Sequence, residues 1–130
     1  MSCFWDAVLG SLNEEEREKL EIKMNATNEE LVRNLKQHSY VLNEANVVWQ
    51  GEKLRPQLCR ELKMWVDNYN VNGINNGHDT SSCDPFLVLL CHMLNWRIDF
   101  KYIHANICFE SSNTKRTVKF GANSHHFFRR

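Results

Sequence analysis

The fold class follows from residues 84–102, DPFLVLLCHMLNWRIDFKY. Asp84 followed by Pro85 is typical of a helix start, and the apolar residues that continue to Leu94 lie nearly all round the helix, which predicts a buried helix. From residue 97 apolar and charged side chains alternate, which is the pattern of a strand with one buried face. The sequence therefore predicts a central helix that packs on a sheet.

The residues before this stretch have mostly helical patterns. Their start signals are Asn13, Thr27 with Glu30 three residues later, and Pro56 in a first turn. Together with the spacing of apolar residues, these signals predict helices over residues 3–12, 13–24, 27–38 and 54–69. Residues 68–82, rich in Asn, Gly and Ser, predict a long loop before the central helix.

The residues after the central helix have strand patterns. Strands are predicted over residues 97–102, 107–109, 116–120 and 125–128, with short polar turns between the later ones. Taken in chain order, they predict a small antiparallel meander. The expected fold is α+β, with N-terminal helices packed on a small antiparallel sheet in a single domain of residues 1–130.

Charge and cysteine content limit the classes of function. Sixteen basic and sixteen acidic side chains cancel, which removes the simple electrostatic argument for nucleic acid or an anionic membrane as partner. The five cysteines are an odd number with no secretory apolar segment before them, which predicts reduced thiols. The longest nearly uncharged run, residues 85–96, is too short to cross a bilayer. We therefore expect a soluble, cytoplasmic protein without a membrane or nucleic-acid partner.

One thiol and one pair of imidazoles form the most plausible reactive couple. Cys3 lies at the N-terminal edge of the first predicted helix, where the helix dipole and exposed backbone N–H groups favour the thiolate. His125 and His126 lie in the last predicted strand, where consecutive side chains point to opposite faces, so at most one of them can face Cys3. A thiol at a helix start and an imidazole from a sheet are the requirements of thiol hydrolysis.

The other cysteines and histidines have simpler interpretations. Cys59, Cys91 and Cys108 are expected to fill the core, and Cys83 is a second candidate for a reactive thiol. His92 is expected to be a core or interface histidine. Since these residues lack the closely spaced pairs of structural zinc sites, we expect no metal, and no cofactor motif is present.

The charged clusters are interpreted as solvated surface. The acidic runs Glu14–Glu16 and Glu29–Glu30 belong to predicted polar helices. No Gly-rich phosphate loop supports nucleotide chemistry. The basic residues near the C-terminal end are interpreted as a solvated strand edge and tail, with nucleic-acid binding as the alternative. They are Lys115, Arg116, Lys119, Arg129 and Arg130.

These elements resemble the ovarian-tumour (OTU) type cysteine proteases. Residues 2–8, SCFWDAV, resemble the block that begins the catalytic helix of that family, and His126-Phe127 resembles its final histidine followed by an aromatic residue. Between them, the Cys83-Asp84-Pro85 helix start and the strand at residues 98–103 follow the order of the family. The resemblance spans nearly the whole chain and is to the compact viral members.

The resemblance implies a papain-like architecture and a deubiquitinase. Its substrate would be ubiquitin or a ubiquitin-like modifier, and a viral polyprotein in addition, in the cytoplasm of a host. Cys3 would be the nucleophile and His126 the general base, with His125 as the alternative base and Asn123 as the orienting residue. The candidate substrate contacts are Trp5, Asn76, Gly77, His78 and Asp79, together with the polar helices of residues 14–38.

Two departures from the family pattern support an alternative. Members carry an Asp, a Gly and a polar residue before the nucleophile, whereas Met1 and Ser2 precede Cys3 here. Many members also have Asn or Asp two residues after the histidine, where this chain has Phe128. The alternative is an OTU-like binding protein with weak or no activity that antagonises a host factor.

Overall fold

The computed structural model describes residues 3–74, 80–124 and 126–130. The helices are α1 (Cys3–Ser11), α2 (Glu14–Lys19), α3 (Asn28–Gln37), α4 (Pro56–Asn68) and α5 (Thr80–Leu94), with 3-10 helices at Ser39–Glu44 and Val71–Gly73. The strands are β1 (Val47–Trp49), β2 (Glu52–Lys53), β3 (Trp96–Tyr102), β4 (Ala105–Ser111), β5 (Arg116–Ala122) and β6 (Phe127–Arg129). The α+β class is confirmed.

The helix starts at Asn13 and Thr27 are confirmed by side-chain caps. Asn13 Oδ1 accepts the Glu16 N–H at 2.8 Å, and Glu16 Oε1 accepts the Asn13 N–H at 3.0 Å, which is a complete capping box. Thr27 Oγ1 accepts the Glu30 N–H at 3.2 Å. The predicted end of the second helix was wrong, because α2 stops at Lys19 and the chain turns away at Glu21, which has a φ of 59°.

The start of the central helix was also placed wrongly from the sequence. The helix α5 begins at Thr80, so Asp84 does not cap it and Pro85 lies inside it. The Asp-Pro pair has the composition of a cap and a first turn, but the backbone is already helical one turn earlier. The remainder of the prediction is confirmed, because the residues from Phe86 to Cys91 are all buried.

The predicted antiparallel meander was wrong. The sheet has the strand order β2-β1-β4-β3-β5-β6, and β5 runs parallel to β3, with Trp96 opposite Arg116. The hairpin of β1 and β2 was not predicted, and it turns through Gln50 and Gly51, which both have positive φ. Because β1 and β3 occupy both edges of β4, β5 cannot take the place beside β4 that a meander would give it, and it joins the sheet on the other side of β3.

The core lies between α5 and one face of the sheet. The inward residues of β3 and β5 are buried and alternate with charged or polar residues on the opposite face. At the far edge of the sheet α1 packs on β6, so the first helix covers the last strand. This contact brings Cys3 to the segment that carries the two histidines.

Candidate functional site

The thiol of Cys3 lies against the first residue of β6. The Phe127 N–H donates to Cys3 Sγ at an N···S distance of 3.4 Å. The neighbouring Phe4 ring packs edge-on against the Phe127 ring, with centroids 4.8 Å apart. Both rings are buried, so the start of α1 is held on β6 by aromatic packing and one hydrogen bond to sulfur.

The segment before β6 is closed by Asn123. Its Oδ1 accepts the His126 N–H at 2.8 Å, and its own N–H donates to the His126 carbonyl at 2.9 Å. These two bonds hold the main chain of His126 in a tight turn after β5. Asn123 was predicted to orient an imidazole, and the structure shows it fixing the backbone that carries one.

The structure describes one of the two histidines of this segment. The side chain of His126 is exposed, and its ring stacks on that of Phe128 with centroids 6.0 Å apart and planes 16° apart. Phe127, which lies between His126 and Phe128 in the sequence, points into the core. His125 lies outside the described residues.

Trp5 belongs to the core and not to a surface that a substrate reaches. It is 2% exposed, and its indole N–H donates to the Tyr69 hydroxyl at 3.0 Å. The Trp5 ring also packs edge-on against Phe86 of α5. Burial raises the pKa of Tyr69, so its hydroxyl stays protonated at neutral pH. The structure therefore gives Trp5 a packing role that joins α1 to α5 and to the end of α4.

The other predicted substrate contacts are outside the part of the chain that the structure describes. They are Asn76, Gly77, His78 and Asp79, between the 3-10 helix Val71–Gly73 and α5. Their contribution stays a prediction.

Three guanidinium groups bind backbone carbonyls at the C-terminal end of α1, the opposite end from Cys3. The last turn of this helix contains no basic residue of its own. Cations at this end satisfy carbonyls that lack helical partners and complement the helix dipole. The donors reach consecutive carbonyls: Arg17 that of Leu9 at 2.9 Å, Arg129 that of Gly10 at 2.6 Å, and Arg116 that of Ser11.

Two of these arginines, Arg116 and Arg129, were interpreted from the sequence as a solvated edge and tail. The structure corrects this interpretation, because both anchor the helix that begins with Cys3. No local signal identifies them, since the carbonyls that they bind lie more than a hundred positions away in the chain.

Glu16 was expected on a solvated acidic face, and the structure corrects this as well. Its side chain is buried, and its Oε1 lies 2.6 Å from Arg116 Nη2. Its Oε2 accepts the Arg116 Nε–H at 3.2 Å and the Trp96 indole N–H. The carboxylate thus fixes the arginine that binds the end of α1.

The remaining cysteines mostly have structural positions. Cys59 and Cys91 are buried as predicted, and burial raises the pKa of Cys91 to about 12, which makes it unreactive. Cys83, the second candidate thiol, is also buried. Cys108 was also predicted to fill the core, and this was wrong: it is half-buried on the outer face of the sheet, where burial still raises its pKa. The position of Cys3 at the start of a helix, against the His126-Phe127 segment, is not repeated by these four thiols.

His92, predicted to be a core or interface histidine, is half-buried. Its Nδ1 accepts the Asn46 N–H at 3.2 Å. Burial, with a further contribution from Lys19, lowers the pKa of His92, so its ring is neutral at pH 7. Within the described ranges no group of three or more His, Cys, Asp or Glu side chains is arranged to hold a metal ion.

Known proteins provide no further guide to the site. Neither a family model, nor a curated protein, nor a solved structure matches this chain. Across residues 3–74, 80–124 and 126–130, no helix combines the length and the apolar character that a membrane crossing requires.

Proposed function

We propose that this chain is a cysteine hydrolase of the OTU type that cleaves the bond after the C-terminus of ubiquitin or a ubiquitin-like modifier. The observation that carries the proposal is the hydrogen bond from the Phe127 N–H to Cys3 Sγ at 3.4 Å. It joins a thiol at a helix start to a strand preceded by two consecutive histidines. A thiol and an imidazole are the groups that thiol hydrolysis needs, and the bond joins Cys3 to a residue 124 positions away in the chain.

The proposed reaction uses the thiolate of Cys3 as nucleophile. It attacks the carbonyl carbon of the scissile bond, and backbone N–H groups near the start of α1 stabilise the oxyanion that forms. The imidazolium gives its proton to the departing amine. A water molecule, deprotonated by the same imidazole, then hydrolyses the thioester and releases the modifier with a free carboxylate.

The choice between His126 and His125 as the base is open in this proposal. The stacking of His126 on the exposed ring of Phe128 supports a surface position for His126 in this conformation. The strand predicted over residues 125–128 begins only at Phe127, so alternation along a strand does not assign a face to His126. The two histidines therefore have to be tested separately.

The substrate and setting follow from the resemblance to the compact viral members. The proposed contacts are the segment of residues 69–79 between α4 and α5, which is shorter than the predicted loop of residues 68–82, and the polar surface of α2 and α3. A viral polyprotein is the proposed second substrate, and the host cytoplasm the proposed location. Trp5 would act indirectly, because it supports α1 from within the core.

A non-catalytic binding protein is the second candidate. Two observations favour it: Cys3 is only 7% exposed, and the position at which many members carry an orienting Asn or Asp is taken by Phe128. In this function the polar surface of α2 and α3 would bind a host factor without cleaving it.

The test is hydrolysis of a fluorogenic substrate made of ubiquitin with a C-terminal dye. We expect wild-type protein to release the dye and Cys3→Ala to lose at least about 100-fold in rate, because the nucleophile is absent. Cys108→Ala is the matched control, since it removes a more accessible thiol outside the site. It should keep the wild-type rate.

The two histidine variants complete the experiment. His125→Ala and His126→Ala are measured singly, and the base is the residue whose loss abolishes turnover. Equal rates for wild type and Cys3→Ala would overturn the catalytic assignment. If folded wild-type protein binds ubiquitin or a modifier but releases no dye, the result would instead show that the chain is a non-catalytic binding protein.

A further inference from the structure

A cationic cleft lies between the C-terminal end of α1 and the two last strands of the sheet. Its volume is about 200 Å³. Four of its lining residues carry positive charge, and none of the described residues that line it is acidic. We call it the anion cleft, and it is lined by Ser11, Arg116, Thr117, Val118, Lys119, Arg129 and Arg130.

The cleft lies beside the part of β5 that extends beyond the end of β6. Lys119 O accepts the Arg130 N–H at 2.9 Å, and β6 ends at Arg129. Backbone N–H groups point to the same edge of a strand at every second residue, so the N–H of Thr117 points to the same edge as that of Lys119. Thr117 lines the cleft, and on this edge its N–H lies past the end of β6, beside the cations. The charge of one of these cations, Arg116, is balanced by Glu16.

Two of the cations are held in place before any ligand arrives. Arg116 is fixed by Glu16 and by the Ser11 carbonyl, and Arg129 by the Gly10 carbonyl. Each guanidinium has more N–H donors than these contacts use. Because the side chains are already ordered, a bound anion would cost little additional side-chain entropy. Arginine forks of this kind match the oxygens of phosphate groups.

We propose that the anion cleft binds a small multivalent oxyanion through its phosphate groups. The ligand is small because the positive region is short. On the neighbouring strand β3 the outward residue opposite Lys119 is Asp99, and Glu110 follows on β4. Both acids pair with Arg97, Asp99 at 3.2 Å and Glu110 at 3.6 Å, so these three side chains do not extend the positive region for the backbone of a nucleic acid. A diphosphate needs only the cleft itself.

The test uses inorganic pyrophosphate as the probe, titrated at low ionic strength into isotope-labelled protein while amide resonances are recorded. We expect the resonances of residues 117–119 and 129–130 to shift, and the affinity to fall as salt is raised. A nucleoside diphosphate forms the second arm. Equal affinity for both would show that the phosphates alone are recognised, and tighter binding of the nucleotide would show that its base or sugar contributes.

Lys119→Gln is the diagnostic variant, since Lys119 is exposed and lines the cleft. Losing one cation should weaken pyrophosphate binding by about fivefold. Lys101→Gln is the matched control, because Lys101 is exposed on the same face of the sheet but outside the cleft. Equal effects of the two variants, or no shift at residues 117–119, would overturn the proposal. So would RNA that binds more tightly than pyrophosphate and perturbs β3 as strongly as β5.

Discussion

The carboxylate of Glu16 joins three parts of the fold at one point. It closes the cap of α2 on Asn13, accepts from the indole of Trp96 at the start of β3, and pairs with Arg116 at the start of β5. The Arg116 guanidinium also lies over the Trp96 ring, 5.5 Å from its centroid. A buried carboxylate with this many donors stabilises the fold only while all its partners are present.

Glu16→Gln should therefore destabilise the protein. The amide cannot replace both charged hydrogen bonds to Arg116, and one donor of its own faces other donors. We expect the free energy of unfolding to fall by about 2 kcal/mol, measured by urea denaturation. Glu15→Gln, on an exposed neighbour in the same run, should change it by less than about 0.5 kcal/mol. Similar losses in the two variants would contradict this account.

The run of three glutamates also shows what the sequence can and cannot predict for a single residue. All three have the composition of a solvated helix face, and two of them are exposed. What separates Glu16 is Arg116, which lies 100 positions later in the chain. A partner at that distance leaves no local pattern, so residue-level burial of a charge could not be predicted.

At the level of elements, β6 is held on β5 by an aromatic residue that lies over a glycine. Gly121 lies opposite Phe128, and a Cβ added at Gly121 would lie 2.6 Å from atoms of the Phe128 ring. The Phe128 ring can therefore occupy this position only because Gly121 has no side chain. It is the same ring that stacks on His126.

Gly121→Ala should displace the Phe128 ring from β5 and with it the His126 ring. Because Phe128 is 39% exposed, the ring can swing into solvent, and we expect a loss of only about 1 kcal/mol in unfolding free energy. The diagnostic readout is the proton chemical shift of the His126 ring, which should move towards its value in a free peptide.

Gly10→Ala is the matched control. Its added Cβ would meet only the Arg129 guanidinium, at 3.8 Å, which is an ordinary contact. Since alanine favours a helix more than glycine does, this variant should gain about 0.5 kcal/mol and leave His126 unchanged. An unchanged His126 shift in Gly121→Ala would show that the ring does not rest on this glycine.

Elements with a long periodic pattern were predicted well, and elements defined by their partners were not. The apolar spacing of α4 and the alternation of β3 sufficed to locate both. β1 and β2 have three and two residues, too few for a pattern. The parallel placement of β5 depends on β1 occupying the edge of β4, which is a contact between residues 47–49 and 109–111.

At the scale of the whole molecule, two aspartates make opposite contributions to the dependence of stability on pH. Burial raises the pKa of Asp84 to about 6, above its ordinary value of 3.8. Burial also tends to raise the pKa of Asp67, but hydrogen bonds from Lys63 and Ser39 outweigh it and leave that pKa lowered. Between pH 4 and 6 the native state therefore keeps a proton on Asp84 that the unfolded chain has lost.

Asp84→Asn should stabilise the protein at pH 8, by about 1 kcal/mol once partial solvent exposure is discounted. The gain should disappear as the pH falls to about 3, below the ordinary pKa, because Asp84 is then neutral in both states. Asp67→Asn should do the reverse: it destabilises at pH 8, and its effect fades as the pH falls below about 4. Thermal unfolding of the three proteins across this range measures both. A constant difference at all pH values would refute the assignment to ionisation.

The candidate site could be predicted from the sequence in part, and the rest of it depends on the folded chain. The position of Cys3 at a helix start and the two histidines near the other end are visible in the sequence, and the resemblance relates them. The packing of Phe4 on Phe127, the turn closed by Asn123, and the arginines at the end of α1 depend on the folded chain. They could not be predicted, because each involves atoms whose partners are set by the sheet order.

The packing of α1 on β6 also determines when during synthesis the thiol reaches its place. A ribosome releases Cys3 before its contact Phe127, which follows 124 positions later. Until then α1 has no strand to cover it, so Phe4 and the thiol stay open to solvent while α5 and the sheet assemble. The proposed enzyme would therefore be inert on the ribosome, and its chemistry would begin only once the last strand has been made.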